Sequence, residues 1–145
     1  MAFEPVPATF ERLASNVARL GCENVTLLNA AASDASRLID MSIPAFNSGL
    51  TNFYLARIGG GPADLNVLSL TVDSLGETNR VALAKVDAEG HELQVLRGMK
   101  ALLEGDRPVL IVEDNSSAIE PYLLHLGFSA TRLPGSRNAI YQRGL

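Results

Sequence analysis

Apolar positions change their spacing along the chain, and each change marks an element. Ala2-Phe3 reads as the last step of a strand, broken by Glu4-Pro5-Val6-Pro7. From Ala8 to Leu20 the apolar residues fall at Phe10, Leu13, Ala14, Val17 and Leu20, which lines one face of a helix. Gly21 stands where a C-terminal cap belongs. Asn24 to Ala32 reads as a strand, with Val25 to Asn29 running into Ala30-Ala31-Ala32-Ser33-Asp34. Arg37 to Ile43 and Leu50 to Ala56 both have strand composition, and Asn47-Ser48-Gly49 between them is turn chemistry, so a hairpin-like excursion is predicted. Gly59-Gly60-Gly61-Pro62 reads as a flexible surface loop. Leu65 to Val72 is extended, and Asp73-Ser74-Leu75 opens a short helix.

The second half repeats a cleaner pattern. Val81 to Val86 is apolar except for Lys85, as a strand buried on both faces would be. Glu89 to Leu103 has helical spacing through Leu93, Leu96, Met99 and Leu103, and Gly105-Asp106-Arg107-Pro108 closes it. Val109 to Val112 is a second buried strand, ending at Glu113-Asp114-Asn115. Ser117 to Leu126 is a helix stopped by Gly127. Phe128 to Leu133 and Asn138 to Gln142 flank Pro134-Gly135-Ser136 and predict a closing antiparallel hairpin. Strand, helix, strand, helix with apolar strands predicts an α/β domain: a mostly parallel sheet, helices on both faces, and an antiparallel hairpin at the C-terminus. The 145 residues suit one domain, 1–145, without repeat or linker.

Composition narrows the partners. Hydrophobic residues make up 47% and charged residues 19%, enough for a core and too apolar for disorder. The net charge of -4 and the scattered Lys and Arg argue against nucleic-acid binding through a basic surface. No apolar stretch approaches the ~20 residues of a membrane span, and no signal peptide opens the chain. Cys22 is the single cysteine, so an internal disulfide and a multi-cysteine zinc site are excluded. These features fit a cytoplasmic location.

In open α/β sheets, ligands bind beyond the carboxyl ends of the strands. The residues just after the apolar runs are Glu4, Ser33-Asp34, Asp87 with Glu89, and Glu113-Asp114-Asn115. Any one of these acids could be a helix cap or a solvated loop residue; their shared placement favours a site. Glu4 at a strand end can accept hydrogen bonds from both vicinal hydroxyls of a ribose. Such an acid follows a glycine-rich loop by ~20 residues in nucleotide-cofactor folds, and here it is almost the first residue. Gly59 to Gly61 is no substitute, because a proline follows and no strand-to-helix context surrounds it. Gly90 allows close backbone approach to a ligand. Glu89 and Glu92 fall in the first helical turn, where negative charge suits the dipole. His91 reads as a general base for a hydroxyl acceptor or equally as an exposed loop histidine. A metal site of Asp87, Glu89, His91 and Glu113 is a weaker alternative, and no metal is expected.

These residues match a family in order. Phe3-Glu4-Pro5-Val6-Pro7-Ala8-Thr9-Phe10, with Leu13 and Asn16, resembles the "FEPnp..f..L..N" segment of FkbM-type methyltransferases. Asn29 to Asp34 is similar to the "n.Alsd" strand end. Lys85-Val86-Asp87-Ala88-Glu89-Gly90-His91-Glu92, then Val95-Leu96-Arg97-Gly98, resembles "KiDvEGaE..vLrGa", the most specific block. Pro108 to Glu113 resembles "rP.i..E", and Gly127-Phe128 with Asn138 to Tyr141 resembles the closing hairpin.

The resemblance implies a Rossmann-like methyltransferase sheet that uses S-adenosyl-L-methionine to methylate an oxygen of a small molecule or glycan. It implies Glu4 on the cofactor ribose, Ser33 and Asp34 near the adenine, and Asp87 at the methionine end and the acceptor. Asp87, Glu89 and His91 are then the catalytic candidates. The family's first strand, glycine loop and first helix should precede Glu4, so an N-terminally truncated domain with weak or absent cofactor affinity is expected. The absent strand would leave the Val81 to Val86 edge open, to be filled by Arg37 to Ile43, by Leu50 to Ala56 or by a homodimer partner. The alternative reading is a non-catalytic methyltransferase-like module that serves oligomerisation.

Overall fold

Two prolines and an acid set how the chain leaves its first strand. In the computed structural model, strand β1 (Ala2–Phe3) runs into Glu4, whose Oε1 accepts from the Val6 N–H at 2.9 Å. Pro7 is the first residue of helix α1 (Pro7–Arg19), where a missing N–H removes no intrahelical bond. Gly21 takes φ +63° just past the helix, the left-handed cap its position predicts. The structure describes residues 1–145 apart from 46–47, 51, 60, 77–79, 114–115, 145 and the side chain of 54. Asn47, Gly60, Asp114 and Asn115, which carried expectations above, lie outside the described residues.

The chain forms two compact units, Met1–Leu70 and Thr71–Leu145. In the first, β1 pairs in parallel with β2 (Leu27–Leu28). A second sheet has the order β3 (Ala31–Ala32), β6 (Leu65–Leu70), β4 (Arg37–Ser42), β5 (Arg57–Ile58). Strand β3 is parallel to β6, whereas β4 is antiparallel to both β6 and β5. The core is Val6, Ala31, Ile39, Met41 and Val67, with Phe53, Ile58 and Leu65 packed against it. Alternation places Ile39 opposite Val67 inside, and Leu38 opposite Leu68 outside, 72% and 46% exposed.

Two strand expectations are corrected in this unit. The 24–32 run bends at Asn29 and Ala30 and divides between β2 and β3, which belong to different sheets. The Asn29 side-chain amide donates to the carbonyls of Glu4 and Pro5 at 2.9 and 3.2 Å, which ties the bend to the end of β1. Among the described residues, the 50–56 run is not a strand. Phe53–Leu55 forms a 3-10 turn, and β4 takes Arg57 as its partner opposite Ser42.

In the second unit the order is β7 (Leu83–Val86), β8 (Val109–Glu113), β10 (Asn138–Gln142), β9 (Ser129–Arg132). Helices α2 (Glu92–Arg97) and α3 (Lys100–Gly105) make the crossover that the parallel pair β7 and β8 requires. Strand β10 is antiparallel to β8 and β9, closing the expected hairpin. Register aligns Ala84, Leu110 and Tyr141 in one row, and Val86, Val112 and Ala139 in the next. Leu110, Val112 and Tyr141 are fully buried, as are Leu96 of α2, Leu103 of α3, and Ile119 and Leu123 of α4 (Ile119–His125).

The sheets are therefore mixed, which corrects the expectation of a mostly parallel Rossmann-like sheet. Antiparallel neighbours need no helical crossover, and the connections 43–64 and 133–137 contain no α-helix among the described residues. The Val81 to Val86 run is not a central strand buried on both faces. Among the described residues, strand β7 lies at the edge of its sheet, and Leu83 is 58% exposed. Strand β4, a candidate to fill beside it, is taken up by β5 and β6.

The 89–103 helix is also corrected: it is two helices separated at Gly98 and Met99. Asp73, in the 3-10 turn Val72–Leu75, supplies the reason. Its N–H donates to the Gly98 carbonyl at 3.0 Å, and its carboxylate accepts from the N–H groups of Ala101 and Leu102 at 2.9 and 3.0 Å. One aspartate thus satisfies a carbonyl where one helix ends and caps the start of the next. Among the described residues no helix is long and apolar enough to cross a membrane.

Candidate functional site

The candidates divide between the units. Glu4, Ser33 and Asp34 belong to the first, and Asp87, Glu89 and His91 to the second. Glu4 is half-buried at the carboxyl end of β1. Burial pushes its carboxyl above the usual carboxylate range, partly offset by the bond from the Val6 N–H. That bond uses Oε1, and a carboxylate has lone pairs enough for further donors. Ser33 follows β3, is buried, and donates its N–H to the Leu70 carbonyl at 2.9 Å. Its hydroxyl lies 3.3 Å from the carboxylate of Asp34, which is exposed. Two strand-end carboxylates, Glu4 half-buried and Asp34 exposed, offer acceptor oxygens of the kind that suits the hydroxyls of a nucleoside.

In the second unit, the candidate acids gather around the turn from β7 to α2. Asp87 leaves the strand exposed and pairs with Lys85 at 2.6 Å. Glu89 holds φ +50° and Gly90 φ +95°. Two successive left-handed residues reverse the chain within one turn, and the second position strains any side chain. Carboxylate oxygens of Asp87, Glu89 and Glu113 lie within 4.8 Å of one another. Glu113 ends β8, half-buried, with Arg137 at 3.9 Å. The parallel register of β7 with β8, Val86 facing Val112, brings these acids together.

His91 does not join them. It is the N-terminal cap residue of α2; its N–H donates to the Ala88 carbonyl at 3.1 Å, and its carbonyl accepts from Val95 at 3.1 Å. Glu89, expected in the first helical turn, lies outside the helix. Glu92 does sit in that turn but is buried, with Oε1 accepting from the N–H groups of Ala88 at 2.9 Å and Gly90 at 3.1 Å. Glu113 is legible in the sequence as a strand-end acid. Arg137 carries no such signal, because it reaches Glu113 only through the closing hairpin.

Crowding sets the protonation of Glu89. Its pKa is raised, first by desolvation, then by the negative charges of Glu113, Asp87 and Glu92, with Arg137 opposing. Because the folded value exceeds the unfolded one, this group's stabilisation is complete below the ordinary glutamate range and is lost as pH rises through the folded value. Glu89→Gln cannot ionise. It is expected to stabilise the fold at neutral pH by about 0.5 kcal/mol, a small gain because Glu89 is exposed. Urea denaturation at neutral pH and near pH ~3 checks this: the gain should vanish in acid, where the parent carboxyl is protonated.

The chain matches the Methyltransferase FkbM domain over residues 1–130. It is 30% identical over 113 residues to the hexuronic acid methyltransferase AglP of Haloferax volcanii, covering 76% of this chain and 45% of that protein. The crystal structure of methyltransferase FkbM from Methylobacillus flagellatus KT is similar with a TM-score of 0.67 at 16% identity, over 97% of this chain and 35% of that one. The chain thus spans less than half the length of either protein, and the likeness to the crystal structure is one of fold.

Proposed function

The chain belongs to the FkbM methyltransferase family, and on that premise we propose that it moves a methyl group from S-adenosylmethionine to a hydroxyl oxygen of a small molecule or glycan. The observation that carries this is the gathering of Asp87, Glu89 and Glu113 within 4.8 Å at the carboxyl ends of the parallel strands β7 and β8, the place where α/β folds bind ligands. When bound, the cofactor supplies a methyl carbon made electrophilic by its sulfonium.

The residues would do the rest by positioning and by handling one proton. Glu4 would accept from the ribose hydroxyls, with Ser33 and Asp34 near the adenine. Asp87 would orient the methionine end and the acceptor. Glu89, whose proton affinity is raised by desolvation and then by neighbouring negative charge, would take the hydroxyl proton as the oxygen–carbon bond forms and the carbon–sulfur bond breaks, the donor leaving as a neutral thioether. A base tuned upward toward neutral pH is the more effective one. His91, held at the start of α2, is the second proton acceptor within this reading. The relative named as a hexuronic acid methyltransferase makes hexuronic acid glycans the first acceptors to test.

The test is methyl transfer from radiolabelled S-adenosylmethionine to a panel of glycans and small alcohols, hexuronic acid glycans included. Glu89→Gln is expected to lower the rate by about 100-fold, in the range for loss of a general base. Transfer at the parent rate by Glu89→Gln would remove Glu89 from this role. No transfer and no donor binding by the parent would favour a second reading, a non-catalytic module that associates with other chains. The bare pair Leu38 and Leu68 on the outer face of β4 and β6 speaks for that reading.

A further inference from the structure

Glu92 has a burial that its place on the helix does not require. A glutamate favours a helix N-terminus while fully exposed, because the dipole acts through solvent as well. Here the side chain is 1% exposed, and removing a carboxylate from water is costly unless donors replace the water. Its Oε1 meets two backbone donors, Ala88 at 2.9 Å and Gly90 at 3.1 Å. Neither is the capping-box partner, which would be the N–H of the cap residue His91 bonded by an acid three residues into the helix. Glu92 is instead the first helical residue, and it reaches back over the turn that precedes the helix. That turn contains the left-handed pair Glu89 and Gly90, a conformation that persists only where surrounding contacts over-determine it.

We propose that Glu92 is a positioning residue. Its buried carboxylate clamps the amides of Ala88 and Gly90, and so fixes the turn that presents Asp87 and Glu89 beside Glu113. One oxygen holds the backbone amides on both sides of Glu89, and so fixes the backbone from which that side chain reaches the cluster. The functional consequence rests on the reading of Asp87 and Glu89 as site residues; the clamp itself does not.

Reach and charge separate the clamp from a dipole role. Glu92→Gln keeps the acceptor oxygen at full length and removes the charge. Glu92→Asp keeps the charge and shortens the arm by one methylene. Amide hydrogen exchange by NMR on the whole chain, without donor or acceptor, reads the result. The clamp predicts that Ala88 and Gly90 exchange at least about tenfold faster in Glu92→Asp and stay close to the parent in Glu92→Gln, as expected for bonds to a buried acceptor. Exchange at Leu110 should stay unchanged in both, which reports an intact core. The reverse order, or equal protection in both variants, would overturn the proposal. Glu89 gives a second readout: its NMR titration should fall toward the ordinary glutamate range in Glu92→Asp, as the turn releases it from Asp87 and Glu113. Methyl transfer following the same order links the clamp to the chemistry. A parent chain that transfers no methyl group would count against the functional reading alone, because the exchange result stands without it.

Discussion

Leu110→Ala is expected to destabilise the second unit by about 3 kcal/mol, near the middle of the range for emptying a leucine site. Leu110 is fully buried on β8, the strand that lies between β7 and β10. Register places Ala84 on one side of it and the fully buried Tyr141 on the other. Hydrogen bonding on both edges holds β8 in place, so the surroundings cannot close on the space and most of the cavity penalty remains. Val109 is the control on the same strand. It points to the other face and is 37% exposed, so Val109→Ala should cost less than about 1 kcal/mol. Urea denaturation followed by circular dichroism measures both. Equal losses for the two substitutions would contradict the burial argument.

Glu4→Ala is expected to weaken S-adenosylmethionine binding by about 10- to 100-fold, the scale of hydrogen bonds to a charged acceptor. The residue also holds the Val6 N–H ahead of α1, so Glu4→Ala alone confounds two roles. Glu4→Gln separates them: its amide oxygen can still accept from Val6, while the charged acceptor for a ribose diol is gone. Helix content should therefore stay at the parent level in Glu4→Gln while donor affinity falls. Affinity should also decline as pH drops through the raised value of this carboxyl, since the protonated acid loses its charge-assisted bonds. NMR titration reads weak as well as tight binding. A Glu4→Gln chain that binds the donor as the parent does would remove Glu4 from the cofactor site.

Local pattern was sufficient wherever one element owed its form to its own residues. Helix α1 follows from the spacing of Phe10, Leu13 and Val17, with Pro7 at its start and Gly21 at its end. The hairpin of β9 and β10 follows from Pro134-Gly135-Ser136 between two extended runs. The acids at strand ends were legible for the same reason, because a strand that stops at a carboxylate announces it in the sequence. Asp87, Glu89 and Glu113 all follow apolar runs in this way, and the structure gathers all three.

What the sequence could not carry was partnership between distant residues. The 89–103 segment has the period of one helix, and it is Asp73, more than twenty residues away, that divides it by claiming the Gly98 carbonyl and the amides of Ala101 and Leu102. The 24–32 segment has the composition of one strand, and Asn29 bends it through bonds to Glu4 and Pro5. Strand direction is likewise not legible in the sequence, because apolar content records burial and says nothing of which neighbour a strand will hydrogen-bond. Glu92 shows the division most clearly. Its position at a helix start, and the dipole that favours it there, belong to the sequence. Its burial and its two amide partners arise only once the turn through Glu89 and Gly90 folds back over it, and that return is a property of the backbone in three dimensions.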